Sequence, residues 1–304
     1  MSAAGFGAAL PPPAYRLLEL AALPGLAAGR RRALAGGAVA AFRKQARRLP
    51  ELALVHGPVT ADTAQLSAYQ HLVGASGTDD LPAGYVHVLG FPLSMALMTR
   101  PDFPLPALGM VHIANRVTQR RPLRFGESLT FTAWADGLRP HRRGALVDVH
   151  LTASGADDVV WSGTSTYLAK GVRVPGAEGA SEVQRVDVFV VPVGRHVWRL
   201  PADTGKRYAE ISGDRNPIHT SRLGAKAFGF PRPIAHGMYT AARALAAVPQ
   251  PVGPFEWGVE FAKPVLLPAT VVLEFGPREG GTAFTARSRS GRVHFSGLVG
   301  SLDS

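Results

Sequence analysis

The chain has no cysteine among its 304 residues. That excludes a disulfide framework, a thiolate nucleophile and any cysteine-ligated metal, and it fits a reducing compartment, so a cytoplasmic location is expected. No run of 18 or more apolar residues occurs, so no membrane-spanning helix is expected. The first residues carry no basic stretch ahead of their apolar part, so a secretory signal is not expected either. Acids are scarce: 22 Asp and Glu face 33 Lys and Arg, a net charge of +11. Only 5 of those bases are lysine, which reads as coding bias rather than function. Eight bases and a single acid, Glu19, fall within residues 1–48, so the basicity belongs mainly to the N-terminal stretch. Binding single-stranded nucleic acid would call for aromatics interleaved with those bases. Only Tyr15 and Phe42 lie near the arginines, and no nucleic-acid partner is expected. The stretch is a candidate contact for anionic lipid or an acidic carrier protein, beside the plainer reading of a loosely packed, solvated lead-in.

What is present is an ordinary folded composition, 46% hydrophobic and 18% charged. Residues 1–50 are rich in Ala, Gly, Pro and Arg, with a short basic helix expected over 37–49. From Leu52 the pattern becomes regular. LALVHGPV (52–59) reads as a strand and 61–74 as a helix with Asp62 in its first turn. VHVLGFPLSMALM (86–98) reads as a buried helix. Alternating runs at 110–118, 128–136, 144–154 and 158–169 read as strands. A Gly/Glu/Ser-rich linker follows over 173–185. The order then repeats: a strand at 186–193, helices at 204–214 and 234–248, and strands at 255–262, 270–275, 282–289 and 293–302.

The halves also agree in detail. Pro122 and Pro264 lie 142 positions apart in similar surroundings, Trp161-Ser162-Gly163 matches Phe295-Ser296-Gly297 at an offset of 134, and the two apolar helices lie about 145 apart. Each half therefore reads as a strand, helices, then four antiparallel strands whose apolar face needs a cover. The long apolar helix supplies it. The expectation is an α+β double hotdog: two antiparallel sheets, each wrapped around a central helix, joined as one continuous pseudo-dimeric sheet. Residues 51–172 form one hotdog and 186–304 the other.

The segment Tyr208-Ala209-Glu210-Ile211-Ser212-Gly213-Asp214-Arg215-Asn216-Pro217-Ile218-His219 carries the chemistry. Gly213 permits unusual backbone angles and Pro217 fixes φ, so the turn can bring a carboxylate and an imidazole to one point. Such a pair can hold water and move protons near neutral pH. The bland alternative is a helix-ending Gly-Asp turn with an Asx-type bond and His219 on a surface loop.

The string resembles the motif Y-x-x-x-S-G-D-x-N-P-x-H of the MaoC-like (hydratase 2) acyl dehydratases. Ile234-Ala235-His236-Gly237-Met238-Tyr239 and Glu260-Phe261-Ala262-Lys263-Pro264-Val265 resemble two further family elements. The likeness spans about residues 50–304, and the layout is similar to mycobacterial two-hotdog 3-hydroxyacyl-thioester dehydratases. It implies an (R)-specific 3-hydroxyacyl-thioester dehydratase, equally a trans-2-enoyl-thioester hydratase, of fatty-acid metabolism. No metal or cofactor is implied, CoA or phosphopantetheine being part of the substrate. Asp214 and His219 are implied to activate the water that adds to C3 and to move the proton at C2. Asn216 is implied to buttress them, and the Gly237 N–H to donate to the thioester oxygen. Ser212, His236 and Met238 are candidate substrate contacts, with His236 also readable as packing behind the site.

The first half reads Tyr69…Gly77-Thr78-Asp79-Asp80 where the motif would fall, and has no Asp-x-Asn-Pro-x-His. It is expected to be catalytically silent and to shape an acyl tunnel, with Phe91, Pro92, Met95 and Met98 as lining. Arg116, Arg120, Arg121 and Lys263 are candidates for the phosphates of acyl-CoA or of an acyl-carrier protein. The competing readings are a hotdog thioesterase and a non-catalytic acyl or acyl-carrier binding protein. The chain is expected to act as a monomer of two hotdogs or as a homodimer.

Overall fold

In a computed structural model of the protein, residues 10–23, 48–107, 109–156, 158–174 and 192–302 are described. The strands are β1 (Arg16–Glu19), β2 (Leu52–Val59), β3 (Val111–Gln119), β4 (Leu129–His141), β5 (Gly144–Ser154), β6 (Val159–Lys170), β7 (Gly194–Leu200), β8 (Phe255–Phe261), β9 (Ala269–Arg278), β10 (Gly281–Ser288) and β11 (Val293–Ser301). The helices are α1 (Thr63–Val73), α2 (Ala83–Met98), α3 (Thr204–Ser212), α4 (Pro217–Thr220), α5 (Arg222–Ala227) and α6 (Gly237–Ala247).

All eleven strands join one sheet in the order β1-β2-β4-β5-β6-β3-β8-β11-β10-β9-β7. Apart from β1, this order is symmetric. From each edge to the centre the first half runs β2-β4-β5-β6-β3 and the second β7-β9-β10-β11-β8. The halves meet where β3 pairs antiparallel with β8, from Ala114 opposite Glu260 to Gln119 opposite Phe255. The expected double hotdog with one continuous pseudo-dimeric sheet is therefore the observed architecture.

Alternation explains the sheet, and burial fixes its register. In β5, Val147, Val149 and Leu151 are buried on one face. The core adds fully buried Trp161, Trp257, Tyr69, Tyr85, Phe131, Phe284 and Phe295. Each of these phenylalanines contributes about 1.5–3 kcal/mol on leaving water. The helix α2 is apolar on nearly every side and lies against β2, β4, β5 and β6. At Gly90 it touches the sheet so closely that a Cβ would sit 2.6 Å from Phe131 and Leu151 side-chain atoms. Pro92 lies inside α2 and removes one backbone donor, a loss the surrounding packing overrides.

Four expectations change. Helix α2 begins at Ala83, ahead of the expected Val86, which puts Gly90 at its middle and Pro92 in its second half. Asp62 is the N-cap of α1, accepting from the Gln65 N–H at 2.8 Å, rather than a first-turn residue. The second half opens with β7 at 194–200, and Val193 lies outside it; residues 186–191, where the strand was expected, are outside the described residues. The lead-in is not merely loose. Arg16–Glu19 pairs in parallel with Leu52–Val55, and Tyr15 donates from its hydroxyl to the Ala135 carbonyl at 3.0 Å. Most of the expected 37–49 helix and most of the 173–185 linker fall outside the described residues. No helix among the described residues is long and apolar enough to cross a membrane.

Candidate active site

The site is assembled from three segments that the fold brings together. Helix α3 ends at Gly213, whose φ of 74° is the left-handed value that stops a helix. The next residues form a chain of side-chain-to-backbone bonds. Ser212 Oγ donates to the Tyr208 carbonyl at 2.8 Å and accepts from the Asp214 N–H at 3.2 Å. Asp214 Oδ1 accepts from the Asn216 N–H at 3.1 Å. Asn216 Oδ1 accepts from the Ile218 N–H at 3.3 Å and so caps α4, the turn that carries His219. The Asx-type bond of the bland reading is thus present. His219, however, is buried rather than on the surface.

The segment 233–235 leads into α6 and clamps this turn from the other side. The Ile234 N–H donates to the Ile218 carbonyl at 3.0 Å. The Ile234 carbonyl in turn accepts from His219 Nδ1 at 2.8 Å. A carbonyl can only accept, so Nδ1 carries the proton and Nε2 keeps its lone pair. Burial holds the His219 imidazole below its ordinary pKa, opposed by the Asp214 charge and by the bond to Ile234, so the ring is a neutral base near pH 7.

His236 is the N-cap residue of α6 and stacks on His219 with ring centres 3.7 Å apart. Its Nε2 donates to the Asp214 carbonyl at 2.9 Å. Burial, with the neighbouring His219, pushes its pKa down to about 3, so it stays neutral. Its Nδ1 is buried with no partner among the described residues. His236 therefore ties the entry of α6 to the Asp214 backbone.

A cavity of about 830 Å³ opens over this turn. Every residue expected to take part in the chemistry or to contact the acyl chain lines it: Asp214, His219, Asn216, Gly237, Ser212, His236, Met238, Phe91 and Met95, with Pro92 and Met98. The hydroxyl of Ser212 is already engaged by backbone on both sides, so its work is to hold the turn. Gly237 begins α6, where the first backbone N–H groups lack intrahelical acceptors and the helix dipole favours negative charge. A Cβ on Gly237 would lie 2.9 Å from Phe261, so glycine keeps this corner open.

Several lining residues escaped the sequence reading. His87 on α2 and His112 on β3 reach the cavity from the first half. Burial pushes His87 down to about 4 and His112 to about 3, and the Asp214 charge acts on both. Their signal was a histidine inside an apolar run, in Val86-His87-Val88 and Val111-His112-Ile113. Arg142, Arg143 and Lys170 also line the cavity, together with Arg215 and Lys263. Of the cations proposed for a carrier, only Lys263 lines it. Arg121 instead pairs with Glu127 at 2.7 Å, and Arg116 is on the exposed face of β3.

Asp214, His219 and His236 place a carboxylate oxygen and two ring nitrogens within 4.8 Å of one another. A metal bound by imidazole lies in the ring plane, about 2.0–2.1 Å from nitrogen for zinc. The His219 and His236 rings are stacked and tilted by only 25°, so no single ion lies in both planes at that distance. A carboxylate oxygen and an imidazole nitrogen within 4.8 Å of each other can instead share one water through two hydrogen bonds of ordinary length.

A double hotdog with an Asp–His pair at a helix N-terminus is the arrangement of an acyl hydro-lyase, and comparison with known proteins agrees. The chain matches the MaoC like domain over residues 187–294. It belongs to the MaoC-like dehydratase family and is a hydro-lyase. It is 37% identical to 3-hydroxyacyl-thioester dehydratase X of Mycobacterium tuberculosis over 259 residues, 84% of this chain and 91% of that protein. The crystal structure of that organism's HtdX matches with a TM-score of 0.72 and 36% identity, over 82% of this chain and all of the other. A MaoC-like dehydratase from Phytophthora capsici matches with a TM-score of 0.66 at 19% identity, over 83% of this chain and 96% of that one, a likeness of fold.

Proposed function

We propose that the chain adds water reversibly across the double bond of a trans-2-enoyl thioester to give the (R)-3-hydroxyacyl thioester. The acyl group is carried on CoA or an acyl-carrier protein. The relative of Mycobacterium tuberculosis, named as a 3-hydroxyacyl-thioester dehydratase, supports the substrate class. The observation that carries the reading is the neutral His219, its proton fixed on Nδ1 by Ile234 and its other nitrogen available beside Asp214 in the cavity.

Asp214 and His219 hold one water between them. Its oxygen bonds to C3 as the pair takes its proton, and the pair returns a proton to C2. The C2–C3 π electrons pass toward the thioester carbonyl, whose oxygen gains negative charge. The N–H at the start of α6 is placed to stabilise that charge, an effect worth about 3–4 kcal/mol where single donors have been removed from such sites. Elimination of water runs the same steps backwards. Asn216 keeps α4 formed and so keeps His219 in place. The first half supplies tunnel wall through Phe91, Pro92, Met95 and Met98 and carries no chemistry of its own. No metal or redox cofactor takes part, because the thioester itself acidifies C2.

The test is crotonyl-CoA with the purified chain, following ultraviolet loss of the conjugated thioester, release of free thiol, and the chirality of the 3-hydroxy product. Loss of enoyl absorbance without thiol, giving the (R) product, is expected. Thiol release from a saturated acyl thioester without hydration would overturn the reading in favour of a thioesterase.

A further inference from the structure

The cavity's charge is lopsided at its mouth. Five cationic side chains line it, Arg142, Arg143, Lys170, Arg215 and Lys263, against two carboxylates, Asp214 and Glu260. All five cations are exposed, so they mark the opening rather than the floor. Three belong to the half without the motif. Arg142 and Arg143 form the two-residue tip of the β4–β5 hairpin, between the paired His141 and Gly144. Gly144 pairs in turn with Lys170 at the end of β6, and the Gly171 N–H donates to the Arg143 carbonyl at 2.9 Å. The hairpin tip and Lys170 are therefore neighbours by backbone register, not by chance side-chain placement.

Neither arginine nor Lys170 has an acidic partner among the described residues. The cluster repels itself: partial burial, with the Arg143 charge, holds the Lys170 ammonium below its ordinary pKa. Lys170 Nζ lies 4.6 Å from the ring centre of Phe230, a residue of the catalytic half that also lines the cavity. That contact bridges the mouth and steadies the lysine there. Like charges held together without counter-charge beside a ligand cavity are an anion site, and arginines at two consecutive positions offer the forked donors that suit phosphate.

We infer that Arg142, Arg143 and Lys170 form a phosphate clamp for the substrate's carrier arm, so that the motif-less half binds the carrier while the other half does the chemistry. The inference rests on the thioester reading above, since it takes a phosphopantetheine arm to reach from the mouth to Asp214. The shared chemistry is a phosphate ester. Its sources are the inner phosphate common to CoA and a carrier protein, or the outer phosphates of CoA alone.

The test compares the parent with Arg142→Ser/Arg143→Ser and with Lys170→Met, which keeps an apolar stem against Phe230. Substrates are crotonyl thioesters of CoA, 3′-dephospho-CoA, 4′-phosphopantetheine and unphosphorylated pantetheine. The clamp predicts a KM for the CoA thioester raised about tenfold, the loss of one charge-assisted contact. It also predicts unchanged kcat, a flatter salt dependence, and no effect on the pantetheine thioester. A penalty that persists with 4′-phosphopantetheine assigns the inner phosphate; one confined to CoA assigns the outer groups. An equal penalty on the unphosphorylated thioester overturns the clamp, as does no penalty on any. Calorimetric binding of free CoA to the same variants reads the clamp without turnover. If the parent hydrates no thioester yet binds CoA through these residues, the reaction assignment fails and the clamp stands.

Discussion

Gly237→Ala tests whether the corner above the Asp–His pair is built as argued. The added Cβ would lie 2.9 Å from Phe261 Cζ and 3.1 Å from Cε1 and Cε2. Carbon atoms settle at about 3.5–4.0 Å, so the ring must retreat by roughly half an ångström or the start of α6 must move. Phe261 is flanked by the His112 and Phe295 rings, centred 5.3 and 6.3 Å away. Overpacking of this kind costs about 1–3 kcal/mol, which lowers the melting temperature by a few degrees. The larger effect falls on catalysis. Misplacing a catalytic group by about 1 Å costs on the order of a hundredfold, so a shift of half that size should cost tenfold or more in hydration rate. The assay is kcat/KM for crotonyl-CoA with a melt by circular dichroism. Adding Phe261→Leu to Gly237→Ala removes the obstructing ring edge and should restore most of the rate. A Gly237→Ala enzyme as fast as the parent would refute the reasoning, as would a double variant no faster than the single.

Acid should destabilise the fold through its buried histidines. His87, His112 and His236 sit at about 4, 3 and 3, against about 6.5 for an unfolded chain. Between those values the unfolded chain binds more protons, so stability falls as pH drops below about 6.5, by up to roughly 1.4 kcal/mol per pH unit for each group. Urea midpoints from pH 7 to 4.5 should fall steeply, and His87→Leu should flatten the curve; a flat parent curve would contradict the burial. Gly90→Ala should cost about 1–3 kcal/mol, because its Cβ meets Phe131 and Leu151 at 2.6 Å, read by denaturant midpoint. His71→Ala should leave turnover near normal, since His71 is exposed on α1 and does not line the cavity; a large loss of kcat would place chemistry in the first half.

The site was legible where its requirements are local. A left-handed glycine, an Asx bond and an Asn-Pro turn each demand particular residues at adjacent positions, and Gly213, Asp214 and Asn216-Pro217 supply them in order. Strands were legible where apolar and polar residues alternate, as in Val147-Asp148-Val149-His150-Leu151-Thr152 of β5, which matches its expected bounds of 144–154. Pairing with a distant partner was not. Arg16–Glu19 has no strand signature of its own, and β2 makes it a strand. Edge strand β7 exposes most of its side chains, and β9 sets its bounds. Arg142, Arg143 and Lys170 carried no signal in sequence, because 27 positions separate Arg143 from Lys170 and only the β5–β6 register unites them.

The central claim is that Asp214 and His219 together activate water. Asp214→Asn and His219→Gln keep shape and hydrogen-bonding capacity while removing the base, so both should fold and melt close to the parent. Hydration of crotonyl-CoA, followed by loss of enoyl absorbance, should fall by at least about a hundredfold in each. It should fall little further in the double variant, because the residues act as a unit. Parent-like turnover in either single variant, with the fold intact, would contradict the account.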